Sequence, residues 1–507
     1  MLTSDKSQTG GRRSKPLRAL LASIRPVHVE ADPAAEVRGI VLDSRRAFEK
    51  SLFVCIKGFS TDGHIYIGEA VQRGATVVVC QDLAAMARIP PGVGRVVVPD
   101  TRRAAALLAT AFYDAPSAGL VVVGVTGTNG KTTTVLFADA VWRSLGHTTG
   151  VIGTLGWRIA DRSISADRTT PEAVDLQRAL RDMADAGVTH VTMEVSSHAL
   201  ALQRVLGTDF DAGVFTNLTQ DHMDFHPDPE HYLEAKSKLF AEYADAAAPE
   251  KRLIGVINLD DPAAEAIVSR ARCEVRTYGR SQTAHVRAQD VHIHERGASF
   301  TVRAGAHRVR VETALPGAFN VYNALAAIAA TTALGVDLEA AAAGVGLLTA
   351  VPGRFEAIDE GQDFRVIVDY AHSPDGLANL LKTARPIARG RLICVFGCGG
   401  DRDADKRAKM GEIASRLADF AIVTSDNPRS EEPTDIIAQI AAGMQRDNYA
   451  QQPDREEAIR QAVAMCQAGD VVIIAGKGHE TYQVFRDRTV HFDDREVARR
   501  VLRELLS

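Results

Sequence analysis

The stretch that most constrains this chain is an apolar run that ends in a glycine-rich turn. Gly119-Leu120-Val121-Val122-Val123-Gly124-Val125-Thr126 is continuous and uncharged, as expected of a strand buried on both faces of a parallel sheet. Gly127-Thr128-Asn129-Gly130-Lys131-Thr132-Thr133 follows at once, and Thr132–Ser144 then reads as a helix. Strand, glycine loop and helix in that order make a phosphate loop. Backbone N–H groups curl around phosphate oxygens, and the helix N-terminus adds positive potential. Lys131 is placed to reach the β- and γ-phosphates, and Thr132 to set a hydroxyl on Mg2+. The strict pattern puts glycine where Val125 stands, so this is a variant loop, pointing to a subset of ATP enzymes.

Further apolar runs at Val188–Val195, Ala212–Thr216 and Leu253–Asn258 alternate with a helical segment at Pro171–Ala186. That alternation predicts a mostly parallel sheet with right-handed crossovers. Residues 284–315 instead suggest small antiparallel strands, and Ala-rich helices follow from Val321 to Thr349. Before the phosphate loop, short apolar runs at Ile40–Leu42, Leu52–Ile56, Ala75–Cys80 and Arg95–Val98, with a helix over Ile65–Arg73, predict a small α/β unit. After Val351-Pro352-Gly353 the alternation resumes, with strands at Arg365–Asp369, Leu392–Phe396, Phe420–Thr424 and Val471–Ala475. The fold class is therefore α/β in three domains. Residues 1–16 form a polar tail, 17–116 the small N-terminal domain, 117–352 the central phosphate-loop domain, and 353–507 the last domain.

A length of 507 residues agrees with about three domains. With 46% hydrophobic and 24% charged residues, wholesale disorder is excluded. A net charge of −5 argues against a dedicated nucleic-acid binder, so anionic ligands would be met by local cations. The six scattered cysteines read as buried free thiols of a reducing cytoplasm. The tail lacks an apolar core, so it is no signal peptide. The charge-free stretch Thr313–Val336 contains Pro316, Asn320 and Asn323, which suits a buried helix better than a membrane span. A cytoplasmic protein, without membrane insertion and monomeric, is expected.

Three segments carry further chemistry. Glu194 closes the run Val191-Thr192-Met193-Glu194, at the sheet edge where ligands bind, and a carboxylate there can hold Mg2+. Asn217–His226 follows another strand. His222 and His226 have zinc-helix spacing, but Met223 stands where a zinc protease needs Glu, so a loop near a metal is the better reading. Residues 230–243 read as a helix in which Lys236 and Lys238 cannot share a face.

In order, GTNGKTT, MEVSSHAL, TNLTQDHMDFH and EAKSKLF closely resemble the Mur ligase family, most narrowly its MurE type. The resemblance runs from Leu42-Asp43-Ser44-Arg45 to Gly476-Lys477-Gly478-His479-Glu480, nearly the whole chain. It implies a uridine-nucleotide-binding first domain, a central ATP-binding domain and a Rossmann-like last domain that closes over ATP. The implied activity is an ADP-forming amide ligase of peptidoglycan precursor synthesis, joining an amino acid to the D-Glu γ-carboxylate of UDP-MurNAc-L-Ala-D-Glu through an acyl phosphate.

The resemblance also implies site residues. Lys236, not Lys238, would carry a CO2-derived carbamate (N6-carboxylysine) and bind Mg2+ together with Glu194 and His222. Leu42, Ser44 and the loop Phe59-Ser60-Thr61-Asp62 would meet the uridine sugar. Thr169, Thr170, Ser196 and Arg204 would meet the muramoyl dipeptide. Relatives carry Gln where Leu202 stands, and here Gln203 is displaced by one. Asn320 and Asn323 would lie near the adenine, and Arg354, Asp369 and His372 would close over the nucleotide. Asp426-Asn427-Pro428-Arg429 marks users of meso-2,6-diaminopimelate. That substrate is lysine with a distal carboxylate, which Arg429 can pair bidentately. Arg402 would add a carboxylate contact, and Gly476 and Glu480 would hold the distal amino end. The rivals are a lysine-adding ligase of the same type, a folylpolyglutamate synthase, and a phosphate-loop switch or motor ATPase.

Overall fold

The computed structural model describes residues 13–59, 61–166, 168–245, 251–294 and 296–506. The first sheet holds β1 (His28–Glu30), β2 (Gly39–Val41), β3 (Ser51–Val54), β4 (Ala75–Cys80) and β5 (Gly94–Val97), in the order β1-β5-β4-β3-β2. Only the β1–β5 ladder is antiparallel. Helix α1 (Thr101–Phe112) starts at Asp100, whose carboxylate accepts from the backbone N–H of Arg102 and Arg103. Its Ala104, Leu108 and Phe112 join Leu52, Val54 and Val77 in one core. Residues 13–16 differ from the reading as a loose tail. Lys15–Pro16 pairs with Glu36–Val37, and Arg13 forms ion pairs with Asp114 and Asp185. The rest of that tail, and Ser60 of the loop expected to meet the uridine sugar, lie outside the described residues.

The second sheet positions the site. It contains β6 (Val121–Thr126), β7 (Thr149–Gly153), β8 (Gly156–Ile159), β9 (Arg162–Ile164), β10 (His190–Glu194), β11 (Ala212–Phe215), β12 (Ile254–Asn258), β13 (Glu274–Gly279), β14 (Val286–His294), β15 (Gly297–Ala304) and β16 (His307–Thr313). The eleven strands run in the order β9-β8-β7-β10-β6-β11-β12-β13-β14-β15-β16. From β7 to β14 every ladder is parallel. Antiparallel hairpins extend the sheet at both ends. Helix α2 (Lys131–Ser144) and the Ala-rich α5 pack one face; α3 (Ala173–Asp185) packs the other, while α4 (Pro229–Ser237) follows β11 and α5 spans Ala318–Ala333. The charge-free stretch thus folds as a buried helix, and among the described residues no helix is long and apolar enough to cross a membrane.

The expected helix over 230–243 breaks after Ser237. The Ser237 hydroxyl donates back to the Leu233 carbonyl at 2.8 Å, and the following N–H groups tighten onto carbonyls three residues back. The small strands β7–β9 and helix α1 were not anticipated. Cys55, Cys80, Cys394 and Cys398 are buried, but Cys273 and Cys466 are only half-buried, and all six are free thiols. Burial pushes the Cys394 and Cys398 thiols up to about 12.

The third sheet holds β17 (Glu356–Ile358), β18 (Arg365–Asp369), β19 (Leu392–Phe396), β20 (Phe420–Thr424), β21 (Tyr449–Gln452) and β22 (Val471–Ala475), in the order β17-β18-β22-β19-β20-β21. Only β17 is antiparallel. Helices α6 (Pro374–Ala384) and α7 (Lys406–Leu417) follow β18 and β19. Two parallel sheets thus bring their carboxyl ends to one cleft, where open α/β sheets bind ligands.

Candidate functional site

The phosphate loop leaves the end of β6 and is shaped from its neighbours. Gly127 has φ +142°, and a Cβ there would stand 1.9 Å from the Thr216 hydroxyl. Thr216 instead donates to the Asn129 carbonyl at 2.6 Å, and the Asn217 side-chain oxygen accepts from the Asn129 N–H at 2.9 Å. Gly130, at φ +86°, backs onto Asn323, whose Oδ1 would lie 2.3 Å from a Cβ. Asn323 donates to Asn320, which donates to the Pro316 carbonyl. The two asparagines therefore brace the back of the loop. Lys131 folds over it, donating to the carbonyls of Gly127 at 2.9 Å and Thr128 at 2.8 Å. Burial lowers the pKa of its ammonium. Thr132 and Thr133 are buried in the first turn of α2.

Behind the loop, Thr132 donates to Glu194 Oε1 at 2.9 Å. The same carboxylate accepts from the Thr154 N–H at 2.7 Å and the Thr154 hydroxyl at 3.1 Å. Thr154 was not singled out from the sequence, since a lone threonine between short strands carries no pattern. His222 adopts φ +58° and points Nε2 to within 3.5 Å of Asp221 Oδ2. His372, from the third sheet, reaches the same oxygen at 4.0 Å. Burial holds His222 down to about 3, so it stays a neutral ligand-competent imidazole. Burial alone would raise Asp221, but favourable charge interactions with its neighbours, Lys406 among them, outweigh this and lower it. His226 is buried against Ser197 Oγ at 3.0 Å, and His198 stacks on Phe225, so the loop is a ring-packed wall and not a zinc helix.

Lys236 is 1% exposed and lies 4.3 Å over the Tyr232 ring. Among the described residues no carboxylate pairs with it. Burial, then repulsion by Lys131, drives its ammonium well below its ordinary range. Lys238 sits outside, 3.6 Å from Glu242. Thr and Glu oxygens with a neutral imidazole suit a hard divalent cation such as Mg2+. Among the described residues, no three His, Cys, Asp or Glu side chains form a complete cage. A bound ion would need further oxygens from a ligand, water or a modified Lys236.

Thr170 donates to the Glu194 carbonyl at 2.8 Å and receives the Ser196 N–H at 3.1 Å. Thr169 shares a hydroxyl contact with Thr154 at 3.0 Å. Arg204 pairs with Glu172 at 2.9 Å. Leu202 ends the short helix before Arg204, and Gln203, at φ +56°, donates to Asp100 at 2.7 Å, joining the first two sheets.

The opposite wall comes from the third sheet. Arg354 lies 4.5 Å over the Tyr370 ring and donates to Thr132 at 3.3 Å. Asp369 accepts from the N–H groups of Phe355 and Ala371, and burial raises its pKa. Asn129 donates to Asp375 at 3.2 Å, and Lys409 to Gln220 at 2.8 Å. Asn427 donates to Glu480 at 2.9 Å, and the fully buried Lys477 holds Glu480 at 3.2 Å. Arg429, at φ +53°, donates to the Gly400 carbonyl at 2.7 Å. Gly476, at φ +118°, favours glycine, and a Cβ there would come within 2.6 Å of Asp426 Oδ2, which would have to shift. Beneath them, the buried pair Arg455–Asp494 is bidentate at 2.7 and 2.8 Å. Arg455 also donates to the Ser425 and Ala475 carbonyls, fixing the ends of β20 and β22. Lys477, Arg455 and Asp494 escaped the sequence reading because their role exists only after folding.

These residues enclose a cleft of about 730 Å3, lined by the phosphate loop, Glu194, His222, Lys236, Thr169, Thr170, Ser196, Arg204, Arg354, Asp369, His372, Arg402, Asp426, Asn427, Arg429, Gly476 and Glu480. Asn323 also lines it, but Asn320 and Pro428 do not. Leu42, Ser44, Phe59, Thr61 and Asp62 lie apart from it on the first domain. Ser44 donates to Glu69 at 2.7 Å, Thr61 to Tyr66 at 3.2 Å, and Asp62 caps the turn at His64. Among the described residues of this set, Phe59, 79% exposed, reaches across, edge-on to Phe225 at 5.4 Å.

Two mostly parallel sheets face each other across one phosphate loop, which marks a phosphate-loop enzyme whose cleft can hold a nucleotide and a second substrate together. Its family follows from sequence. Residues 36–113 match the Mur ligase family catalytic domain, 125–331 the Mur ligase middle domain, and 353–478 the Mur ligase glutamate ligase domain. The chain belongs to the Mur ligase family. A UDP-N-acetylmuramoyl-L-alanyl-D-glutamate–2,6-diaminopimelate ligase of Geobacillus thermodenitrificans (strain NG80-2) is 46% identical over 490 residues, covering 96% of this chain and 99% of that protein. A protein of the same description from Bacillus cereus (strain ATCC 14579) is 44% identical over 486 residues, covering 96% and 98%. A solved structure described as that ligase superposes with TM-score 0.68 at 32% identity, covering 97% of this chain and all of the other (100%). Folylpolyglutamate synthase of Mycobacterium tuberculosis shares the fold at TM-score 0.62 and 20% identity, over 74% of this chain.

Proposed function

We propose that this chain joins meso-2,6-diaminopimelate to the D-Glu γ-carboxylate of UDP-MurNAc-L-Ala-D-Glu, with ATP converted to ADP and phosphate. The observation that carries the reading is the shared cleft: a phosphate loop, a buried Glu194 and a buried unpaired Lys236 face Arg402, Asp426, Asn427 and Arg429. The near-full-length relatives named for that reaction support it. The three units divide the work at 17–116, 117–352 and 353–507. The first would hold the uridine nucleotide through Leu42, Ser44 and residues 59–62, the second ATP, and the third the amino acid.

The γ-carboxylate attacks the γ-phosphorus, ADP leaves, and an acyl phosphate forms. The amine then attacks the acyl carbon, and phosphate leaves. Lys131 and the loop N–H groups neutralise the transferring group. Lys236, held neutral by burial, is suited to add CO2 at Nζ and lose a proton, becoming an anionic oxygen donor. Mg2+, when bound by Thr132, Glu194, His222 and that carbamate, supplies charge neutralisation at the phosphoryl oxygens. Thr169, Thr170, Ser196 and Arg204 orient the dipeptide. Arg354, Asp369 and His372 close the nucleotide side against water. Arg429 and Arg402 face the carboxylates of the amino acid, and Glu480 its distal ammonium. L-lysine would leave Arg429 without its anion, a difference of orders of magnitude in kcat/KM.

The test is ADP release from the full chain with ATP, Mg2+ and the UDP-dipeptide, adding meso-diaminopimelate, L-lysine or neither. Fast release with diaminopimelate alone is expected. Equal rates with lysine overturn the specificity, and release without any amino acid overturns the ligase reading.

A further inference from the structure

Lys406 is the first residue of α7 in the third sheet's domain, and its side chain lines the central cleft. It is only 8% exposed. Among the described residues it makes no hydrogen bond and no ion pair. Its neighbours place it against the loop that carries Asp221 and His222. Asp221 and His372 both feel its charge, and so does Cys398 on its own side. One turn along the same helix, Lys409 donates to Gln220 at 2.8 Å, which fixes the start of α7 against the loop that carries Asp221 and His222. Asp221 attracts this cation without a direct ion pair, and a cation taken out of water with so little compensation favours an anionic ligand.

The surroundings of Lys406 say which anion. Arg402 and Arg429 line the same cleft with Asp426 and Asn427. The charge of Lys406 acts on Asp221, the residue before His222, and α7 is held to that loop through Lys409 and Gln220. We propose that Lys406 is a catalytic residue, delivered by the third domain, that binds the phosphoryl oxygens of the acyl phosphate and stabilises the phosphate as it departs. The inference rests on the ligase reading above.

In that step the amine nitrogen forms a bond to the acyl carbon. The bond between that carbon and the bridging phosphate oxygen breaks, and its electron pair leaves with the phosphate. The proton lost from nitrogen ends on the departing phosphate. Lys406 keeps its own proton throughout and acts as a fixed positive charge, where negative charge grows on the leaving group. In this scheme Lys131 serves the first step and Lys406 the second.

The test compares Lys406→Met and Lys406→Arg with the unchanged protein, using circular dichroism and thermal melting to confirm folding. Oxygen-18 scrambling between the β,γ-bridge and the non-bridging β positions of labelled ATP, with the UDP-dipeptide and no amino acid, reads the first step alone. Turnover with meso-diaminopimelate reads both steps. Lys406→Met is expected to retain scrambling within a few-fold while kcat falls roughly 100-fold, with little change in KM for diaminopimelate. Lys406→Arg should recover part of kcat. A raised KM for the amino acid at unchanged kcat would show that Lys406 holds a substrate carboxylate and overturn the proposal. So would equal loss of scrambling and turnover, or a kcat that does not change. Absence of turnover in the unchanged protein would strike the ligase reading itself.

Discussion

A lysine with 1% of its surface exposed and no carboxylate beside it is an unstable arrangement if charged. Among the described residues Lys236 is in that state, and the carbamate proposed at Nζ would turn the liability into an oxygen ligand. Lys236→Ala is expected to lower turnover by roughly two to three orders of magnitude, as loss of a preorganised charge group does. Wild-type protein in CO2-depleted buffer should lose ADP release reversibly and regain it with bicarbonate. Full activity in either experiment would remove the carbamate from the mechanism. Lys236 also shows what the sequence withheld. Two lysines stand two apart, and only the helix phase, with its break at Ser237, decides that one is sealed and the other solvated.

At the scale of elements, the buried strands were legible because continuous apolar runs have few other uses. β6, β10, β11, β18, β19, β20 and β22 all fall within the runs that predicted them. The phosphate loop was legible for a related reason, since its glycines and lysine are local. The β7–β9 meander was not, because its strands are short, Gly-bearing and interrupted by charge. The clamp beneath Asp426 and Gly476 was invisible too. Arg455 and Asp494 stand on separate helices and mean nothing until packed. Asp494→Ala leaves that guanidinium buried and unpaired, at a cost of about 3–5 kcal/mol. Faster hydrogen exchange at the ends of β20 and β22 than in β6 would register it. Unchanged protection there would show that the clamp is dispensable.

For the whole molecule, one buried and four half-buried histidines shape the acid side of the stability profile. Burial lowers His190, His198, His226 and His479 from 6.5 to about 4, and His222 to about 3. Between those values and 6.5 the unfolded chain binds protons that the folded chain refuses. Stability from these groups is therefore complete above pH 6.5 and declines as pH falls toward about 4. His231 and His491, raised by Asp228 and Glu496, act in the opposite sense, but both lie at the surface. A melting temperature clearly lower at pH 5 than at pH 7.5, by calorimetry without ligands, is expected; a flat profile would refute it.

The antiparallel hairpins at the two ends of the central sheet have a consequence of another kind. A long parallel sheet left bare at its margins would template the addition of strands from other copies. Here the outermost strand on one side, β9, has three residues and opens on Arg162. The outermost on the other, β16, turns His307, Arg308, Arg310 and Glu312 outward. A strand arriving at either margin would have to strip water from those charges before making its first backbone hydrogen bond. The sheet thus ends itself, and a crowded solution of this protein should resist fibrillar association.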